Sequence, residues 1–268
     1  MTTTRRKFFV TSTLAVAAFL CAPAFAQGEF RLGAQSYSFR NFPFEQAMAE
    51  MKKIGLTNVE LFSAHFPLDP AHADFEKNKK ILADNGITPL AYGVEAFTAD
   101  DAANRKKFEF AKALGIEVIT ADPTPDSFDS LDKLTQEFNI AIAIHNHGPG
   151  ARYDKGTDTL KAVEGRNPLI GACVDTGHVI RSGEKPHEVI TLLGKRVLSL
   201  HLKDWVHGGE ETILGEGDID LVEVAKALKA LEFKGPLMLE YENTPDNPGP
   251  DMKTGLQHWK TAVKKADR

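Results

Sequence analysis

Ile140-Ala141-Ile142-Ala143-Ile144-His145-Asn146-His147-Gly148 is the stretch whose reading decides the fold. An unbroken apolar run without a charge reads as a strand buried on both faces, as in a parallel sheet wrapped by helices. This one ends in polar, metal-competent side chains. Three later segments repeat the plan: Leu169 to Val174 runs into Asp175-Thr176-Gly177-His178, Val197 to Leu200 into His201-Leu202-Lys203-Asp204, and Leu237 to Leu239 into Glu240-Tyr241-Glu242. Strands that each deliver a ligand-type residue at the carboxyl end predict one shared site.

Working outward, the same alternation fills the chain. Phe30 to Ser38 reads as a first strand, and Phe44, Ala47, Met48, Met51 and Ile54 form the apolar stripe of a helix that Gly55 is placed to stop. Further strands are expected at Asn58 to Phe62, Ile87 to Val94, Ile116 to Ala121 and Val197 to Leu202. Helices are expected at Asp101 to Leu114, Ser127 to Asn139, near Thr157 to Glu164 and near Pro186 to Leu193. Gly55-Leu56, Gly86-Ile87, Gly115-Ile116 and Gly235-Pro236 punctuate helix-to-strand steps as short turns do. Eight such alternations in one domain predict an α/β fold of the (β/α)8 TIM-barrel type. A doubly wound open sheet competes, but it would not bring the last strand ends round one pocket. No Gly-x-Gly-x-x-Gly follows the first strand, and no phosphate-cradling Gly-x-x-x-x-Gly-Lys-Ser/Thr occurs.

The amino terminus reads differently. Residues 1–26 combine a basic start (Arg5, Arg6, Lys7), an apolar core from Leu14 to Leu20 and the cleavage-type pattern Ala24-Phe25-Ala26, which together describe an export signal. Thr4-Arg5-Arg6-Lys7-Phe8-Phe9 is twin-arginine-like, the pattern of export in the folded state. The apolar run is shorter than the roughly 20 residues that a membrane span needs, so no stable membrane anchor is expected. A periplasmic or secreted protein follows, its barrel spanning residues 27–268.

Without that segment the formal net charge moves from -5 to -8, because three cations leave and no acid does. An acidic chain argues against nucleic acid as a partner, since such binding needs a basic face. Cys173 is then the one remaining cysteine, read as a small buried hydrophobe, and no disulfide framework is available. Nothing in the composition decides the oligomeric state, and a homo-oligomer is left open.

In a barrel, adjacent strands direct their last inward residues toward one axis, so His145, Asp175, His201 and Glu240 are expected to converge on a divalent cation. Two imidazoles with two carboxylates suit Mn, Co, Zn or Fe better than Ca. A purely structural polar cluster is the competing reading.

Val59-Glu60-Leu61-Phe62, His145-Asn146-His147-Gly148-Pro149, Asp175-Thr176-Gly177-His178, His201-Leu202-Lys203-Asp204, Leu214-Gly215-Glu216-Gly217-Asp218-Ile219-Asp220 and Leu239-Glu240-Tyr241-Glu242 resemble the xylose isomerase-like TIM-barrel superfamily. That group includes sugar-phosphate isomerase/epimerase-like proteins and AP-endonuclease relatives. The resemblance covers nearly the whole chain after the signal and implies a small-molecule sugar or keto-glycoside substrate. One departure matters: ketose epimerases of this group carry Glu-x-His or Glu-Asn-His where this chain has His145-Asn146-His147. The change puts two-face chemistry in doubt and resembles exported members acting near 3-keto-glycosides.

The chemistry implied is removal of a proton next to a carbonyl, by an isomerase/epimerase-like enzyme or a keto-glycoside lyase. Glu240, Glu60 and His178 are candidates for the base, and Lys203 for stabilising oxyanion charge. Glu60 reads equally well as a capping or ion-pairing residue, and Lys203 as a structural partner of Asp204. His65 and His147 are candidates to hydrogen-bond sugar hydroxyls, or else surface residues. Trp205, Tyr37 and Phe62 read as a pocket floor or as core. A sugar-binding protein without catalysis is the rival class.

Overall fold

Strand parity determines which side chains reach the centre of this molecule. The computed structural model describes residues 30–268; the export signal and Cys21 lie outside the described residues. Its strands are β1 (Arg31–Gln35), β2 (Asn58–Leu61), β3 (Thr88–Phe97), β4 (Val118–Pro123), β5 (Ala141–His145), β6 (Ile170–Asp175), β7 (Val197–Leu202), β8 (Asp204–Trp205), β9 (Glu211–Thr212) and β10 (Pro236–Leu239). All but β8 and β9 are parallel neighbours in a closed barrel of order β1-β10-β7-β6-β5-β4-β3-β2. The fold is a TIM barrel.

Along β5 the even residues Ile142 and Ile144 join the large core shared with the helices, while the odd residues Ala141 and Ala143 fall in a separate cluster with Ala91, Val118 and Cys173, inside the barrel. Side chains alternate along a strand, so His145, two beyond Ala143, enters the interior. By the same parity Asp175 follows Cys173, His201 follows Ser199 and Glu240 follows Met238. The register places Asp175 level with His201, and His201 level with Met238.

The outer ring comprises α1 (Phe44–Lys53), α2 (Phe75–Asn85), α3 (Asp101–Leu114), α4 (Phe128–Phe138), α5 (Gly156–Ala162), α6 (Thr176–Arg181), α7 (Pro186–Leu193), α8 (Leu221–Ala230) and α9 (Gly249–Ala266). In α3 the Asp100 side chain accepts the Ala103 N–H at the start, Phe108, Ala111 and Leu114 form the buried stripe, and Gly115 ends it at φ 78°. A left-handed residue there frees the chain to enter the next strand. No helix among the described residues is long and apolar enough to cross a membrane.

Three local readings differ. The first strand stops at Gln35 rather than Ser38, because the Gln35 side chain accepts the Tyr37 N–H and starts a 3-10 turn over Ser36–Phe39. Helix α6 begins at Thr176, directly after the Asp175 that ends β6 and caps it, and at six residues it is too short for apolar periodicity to reveal. The loop after β7 contains the antiparallel β8/β9 pair.

Candidate metal centre

The ends of β5, β6, β7 and β10 bring His145, Asp175, His201 and Glu240 together, with one ligand-type atom from each lying within 4.8 Å of the others. His145 Nε2 is 3.1 Å from His201 Nδ1 and 3.5 Å from Asp175 Oδ2. Glu240 Oε2 lies 3.1 Å from His201 Nδ1 and 3.2 Å from Lys203 Nζ. Neighbouring ligands of a small divalent cation sit about 3 Å apart. Asp175 Oδ2 and Glu240 Oε2 are buried and make no hydrogen bond of good geometry, their polar neighbours being the other cluster atoms and the Lys203 ammonium. Buried polar atoms are rarely left this way, so the donor set fits a cation better than a structural polar cluster. Two neutral imidazoles and two carboxylates would also balance its charge.

Asp175 and His201 are held from behind. Asp175 caps α6: its Oδ1 accepts the His178 N–H at 2.8 Å, which leaves Oδ2 to the cluster. Asn146 grips the Asp175 backbone from both sides, its Oδ1 accepting the N–H at 2.9 Å and its Nδ2 donating to the C=O at 3.1 Å. The middle residue of His145-Asn146-His147 thus locks the β5 and β6 ends in step. Thr176 Oγ1 accepts the Lys203 N–H at 2.9 Å and donates to the Lys203 carbonyl at 2.6 Å, tying β6 to β7. Gly177 has no room for a side chain, since a Cβ there would meet Lys203 Cγ at 2.6 Å.

Glu60 does not face the cluster as a free base. It is fully buried on β2; Oε2 accepts from His201 Nε2 at 2.9 Å and Oε1 from Gln35 Nε2 at 3.0 Å. Burial disfavours the His201 charge, but Cys173, Glu60 and Glu240 outweigh it and hold the imidazole well above its ordinary value; a cation at the cluster would displace the Nδ1 proton and leave Nε2 donating to Glu60. The position is that of an orienting group.

The remaining candidates divide. His178 stands beside the cluster, its ring 5.6 Å from that of His145. Arg181 Nη1 is 2.8 Å from His178 Nδ1, and a guanidinium has no acceptor. Nδ1 therefore accepts, and neutral His178 bears its proton on Nε2, which suits donation to a substrate oxygen rather than proton removal. Burial pushes this imidazole down to about 4. His147 is exposed, with its ring 4.3 Å from that of His145. His65 is not brought to the cluster: it is buried between Phe44 and Phe62, with Nε2 3.0 Å from the Phe42 carbonyl oxygen. A donor spent there is not offered to a sugar. Tyr37 is partly exposed, packed edge-on against Phe62 at 5.4 Å.

Lys203 is nearly fully buried and pairs with Glu242 and Glu240. Burial disfavours its charge, but Glu240, Asp175 and Glu242 outweigh that and hold it well above the ordinary lysine value. It is an ammonium, not a base. Burial likewise pushes the Glu240 carboxyl up, and Lys203 and His201 more than reverse this, keeping it ionised. For Asp175 the opponents of burial are His178, Lys203 and His145, and the net shift is well downward.

Asp204, read from the sequence only as a structural partner of Lys203, and Glu211, left unassigned there, both support the site. The buried Asp204 carboxylate accepts the N–H groups of Gly215, Gly217, Ile219 and Trp205 at 2.8–3.1 Å, which explains the turn at Leu214 to Asp220. Lys203 is not its partner. Glu211 accepts the Glu242 N–H at 3.0 Å, joining β9 to the segment after β10. Burial raises the Glu211 carboxyl to about 7, above its ordinary 4.5. A carboxyl raised on folding binds more protons when folded, so its contribution to stability falls as pH rises through that interval. Glu211→Gln removes this term: in urea unfolding followed from pH 5 to pH 8, the variant is expected to gain on the wild type as pH rises. A constant difference across the range would refute the assignment.

Comparison with known proteins places this geometry. A model of the xylose isomerase-like TIM barrel family matches residues 48–262. Inosose dehydratase of Clostridium botulinum (strain Eklund 17B / Type B) is 30% identical over 257 residues, which covers 77% of this chain and 85% of that enzyme. The 3-oxo-isoapionate decarboxylase of Pectobacterium atrosepticum is 28% identical over 173 residues, 60% of each chain. Among solved structures, IolI with a bound zinc atom has a TM-score of 0.73 at 17% identity, over 88% of this chain and 99% of IolI. D-psicose 3-epimerase of Clostridium cellulolyticum H10 with D-tagatose scores 0.71 at 14% identity, over 87% and 99%. At these identities the two structures speak for the fold alone.

Proposed function

The chain belongs to the xylose isomerase-like TIM barrel family, and from that premise we propose that it is a divalent-metal-dependent lyase of keto-sugars. It removes the proton beside a ketone and expels the oxygen substituent on the next carbon. The observation that carries this reading is the asymmetry of the cluster: Glu240 is the one ionised ligand without a capping duty, and His145 stands opposite where a second proton-moving carboxylate would be needed for inversion. Relatives named inosose dehydratase and 3-oxo-isoapionate decarboxylase support chemistry next to a carbonyl.

His145, Asp175, His201 and Glu240 would hold the cation. When bound, it supplies Lewis acidity that lowers the cost of removing a proton next to a carbonyl. Glu240 takes that proton, and the electron pair of the broken C–H bond forms the carbon–carbon double bond as the neighbouring C–O bond breaks. The leaving oxygen, hydrogen-bonded by His178 Nε2–H, takes up a proton from solvent, and Glu240 returns to solvent the one it accepted. Lys203, fixed by Glu242, adds positive charge beside the developing oxyanion at no cost in reorganisation. Asn146 and Thr176 hold the strand ends at the spacing these transfers need.

The reaction is tested with protein loaded with Mn²⁺ or stripped by chelator, offered an inosose, 3-keto-glycosides and ketohexoses. The loaded form is expected to release water or the glycosidic alcohol and give a conjugated ketone absorbing in the near ultraviolet, and the stripped form to give none. Proton exchange and inversion without elimination would instead establish an epimerase, and binding without exchange a sugar-binding protein. The amino-terminal pattern supports placing this activity outside the cytoplasm.

A further inference from the structure

We propose that Arg181 receives a carboxylate on the substrate, so that the preferred keto-sugar is an acidic one, a keto-uronate or keto-aldonate. The inference rests on the keto-sugar reading and narrows it. Arg31, Arg105, Arg152 and Arg166 each grip a carboxylate of the chain. Arg181 has no acidic partner among the described residues. Its contacts are the His178 imidazole, through Nη1, and the face of Trp205, over which its guanidinium carbon sits 4.8 Å from the ring centre.

Trp205 is itself fixed, donating Nε1–H to the Gly209 carbonyl at 3.0 Å. A half-buried guanidinium laid on an indole and tied to one nitrogen has lost most of its rotamer freedom before any ligand arrives. Its other N–H groups keep the planar fork that pairs with a carboxylate.

Place in the fold gives the direction. Arg181 lies three residues after His178 on α6, so the two share a face of the helix, and the row runs from the His145 ring through His178 to Arg181. A sugar with its carbonyl at the ligand cluster and one oxygen on His178 Nε2–H would extend its far substituent to Arg181. Gly148, at φ 82°, borders that side, and a Cβ there would lie 3.4 Å from Nη1, in ordinary contact. The cluster itself is rich in carboxylates and its ammonium, Lys203, is paired with Glu240 and Glu242, so an acidic substituent finds an uncommitted cation toward the Arg181 end.

The test compares matched ligands that differ in one group, D-fructose with D-fructuronate and D-tagatose with D-tagaturonate. Binding to the Mn²⁺-loaded protein is measured by calorimetry, independently of turnover. The carboxylate member of each pair is expected to bind about tenfold tighter at low salt, a preference that shrinks as ionic strength rises. Arg181→Gln should abolish the preference and leave the neutral member within about twofold of wild type. Arg181→Lys, which keeps the charge and loses the fork, should retain part of it. Equal affinity within each pair overturns the assignment and leaves the keto-sugar reading standing. Equal weakening of both members in Arg181→Gln also overturns it, since the arginine would then act through His178. Failure to bind either member sinks the keto-sugar reading and this inference together.

Discussion

Glu240→Gln is expected to lower turnover by about three orders of magnitude while leaving the Michaelis constant within about tenfold, the usual loss when a general base is made neutral. The amide keeps the volume of the side chain and an oxygen donor at the end of β10, so the barrel and most of the ligand set persist. What disappears is the charge that Lys203 Nζ, 3.2 Å away, holds in the ionised state. The variant would lose the capacity to accept the substrate proton. Metal content by elemental analysis separates this loss from simple loss of the cation. A variant that keeps its metal and turns over within about tenfold of wild type would remove Glu240 from proton transfer, and with it the lyase mechanism proposed above.

The parity of the strands explains why so much of this site was legible beforehand. An apolar run such as Ile140 to Ile144 can be placed in a parallel sheet from its residues alone, and once it is there the alternation of side chains carries His145 into the barrel with no further information. The same holds for Asp175, His201 and Glu240. Hydrogen-bond partners from other strands are not encoded that way. Asn146 has no role that the sequence assigns until the Asp175 backbone is seen lying against it. Glu60 lies on the second strand and His65 follows it, yet one side chain lies behind His201 and the other is spent on the Phe42 carbonyl. Choosing between inward ligand, support and core needs the positions of β1, β7 and the turn after β1, none of which is local to the residue. Arg181 was invisible for the same reason, since its meaning depends on which acids are absent around it in space.

Glu60→Gln provides the sharpest test of what holds the ligands in place, because it changes no volume and forces a conflict of donors. Glu60 accepts twice, from His201 Nε2 at 2.9 Å and from Gln35 Nε2 at 3.0 Å. A glutamine amide accepts through its oxygen and donates through its nitrogen, so one of these two N–H groups must face another donor. Gln35 cannot turn to relieve it without cost, since its Oε1 accepts the Tyr37 N–H at 3.1 Å and its Nε2 also donates to the Gly93 carbonyl at 3.2 Å. His201 has a second route: it can shift its proton to Nδ1, the atom that faces His145, Asp175 and Glu240, and so give up its lone pair there. The expected result is a loss of metal affinity of about 10- to 100-fold, with a fall in stability of about 1–3 kcal/mol from the buried mismatch. Nitrogen chemical shifts of the His201 ring in the Zn²⁺-loaded protein report the tautomer directly, apart from any activity. The prediction is a proton on Nε2 in the wild type at neutral or mildly alkaline pH and a shift toward Nδ1 in the variant. An unchanged tautomer with unchanged metal affinity would mean that the β7 strand alone orients the ring and that Glu60 is a buried polar residue without influence on the site.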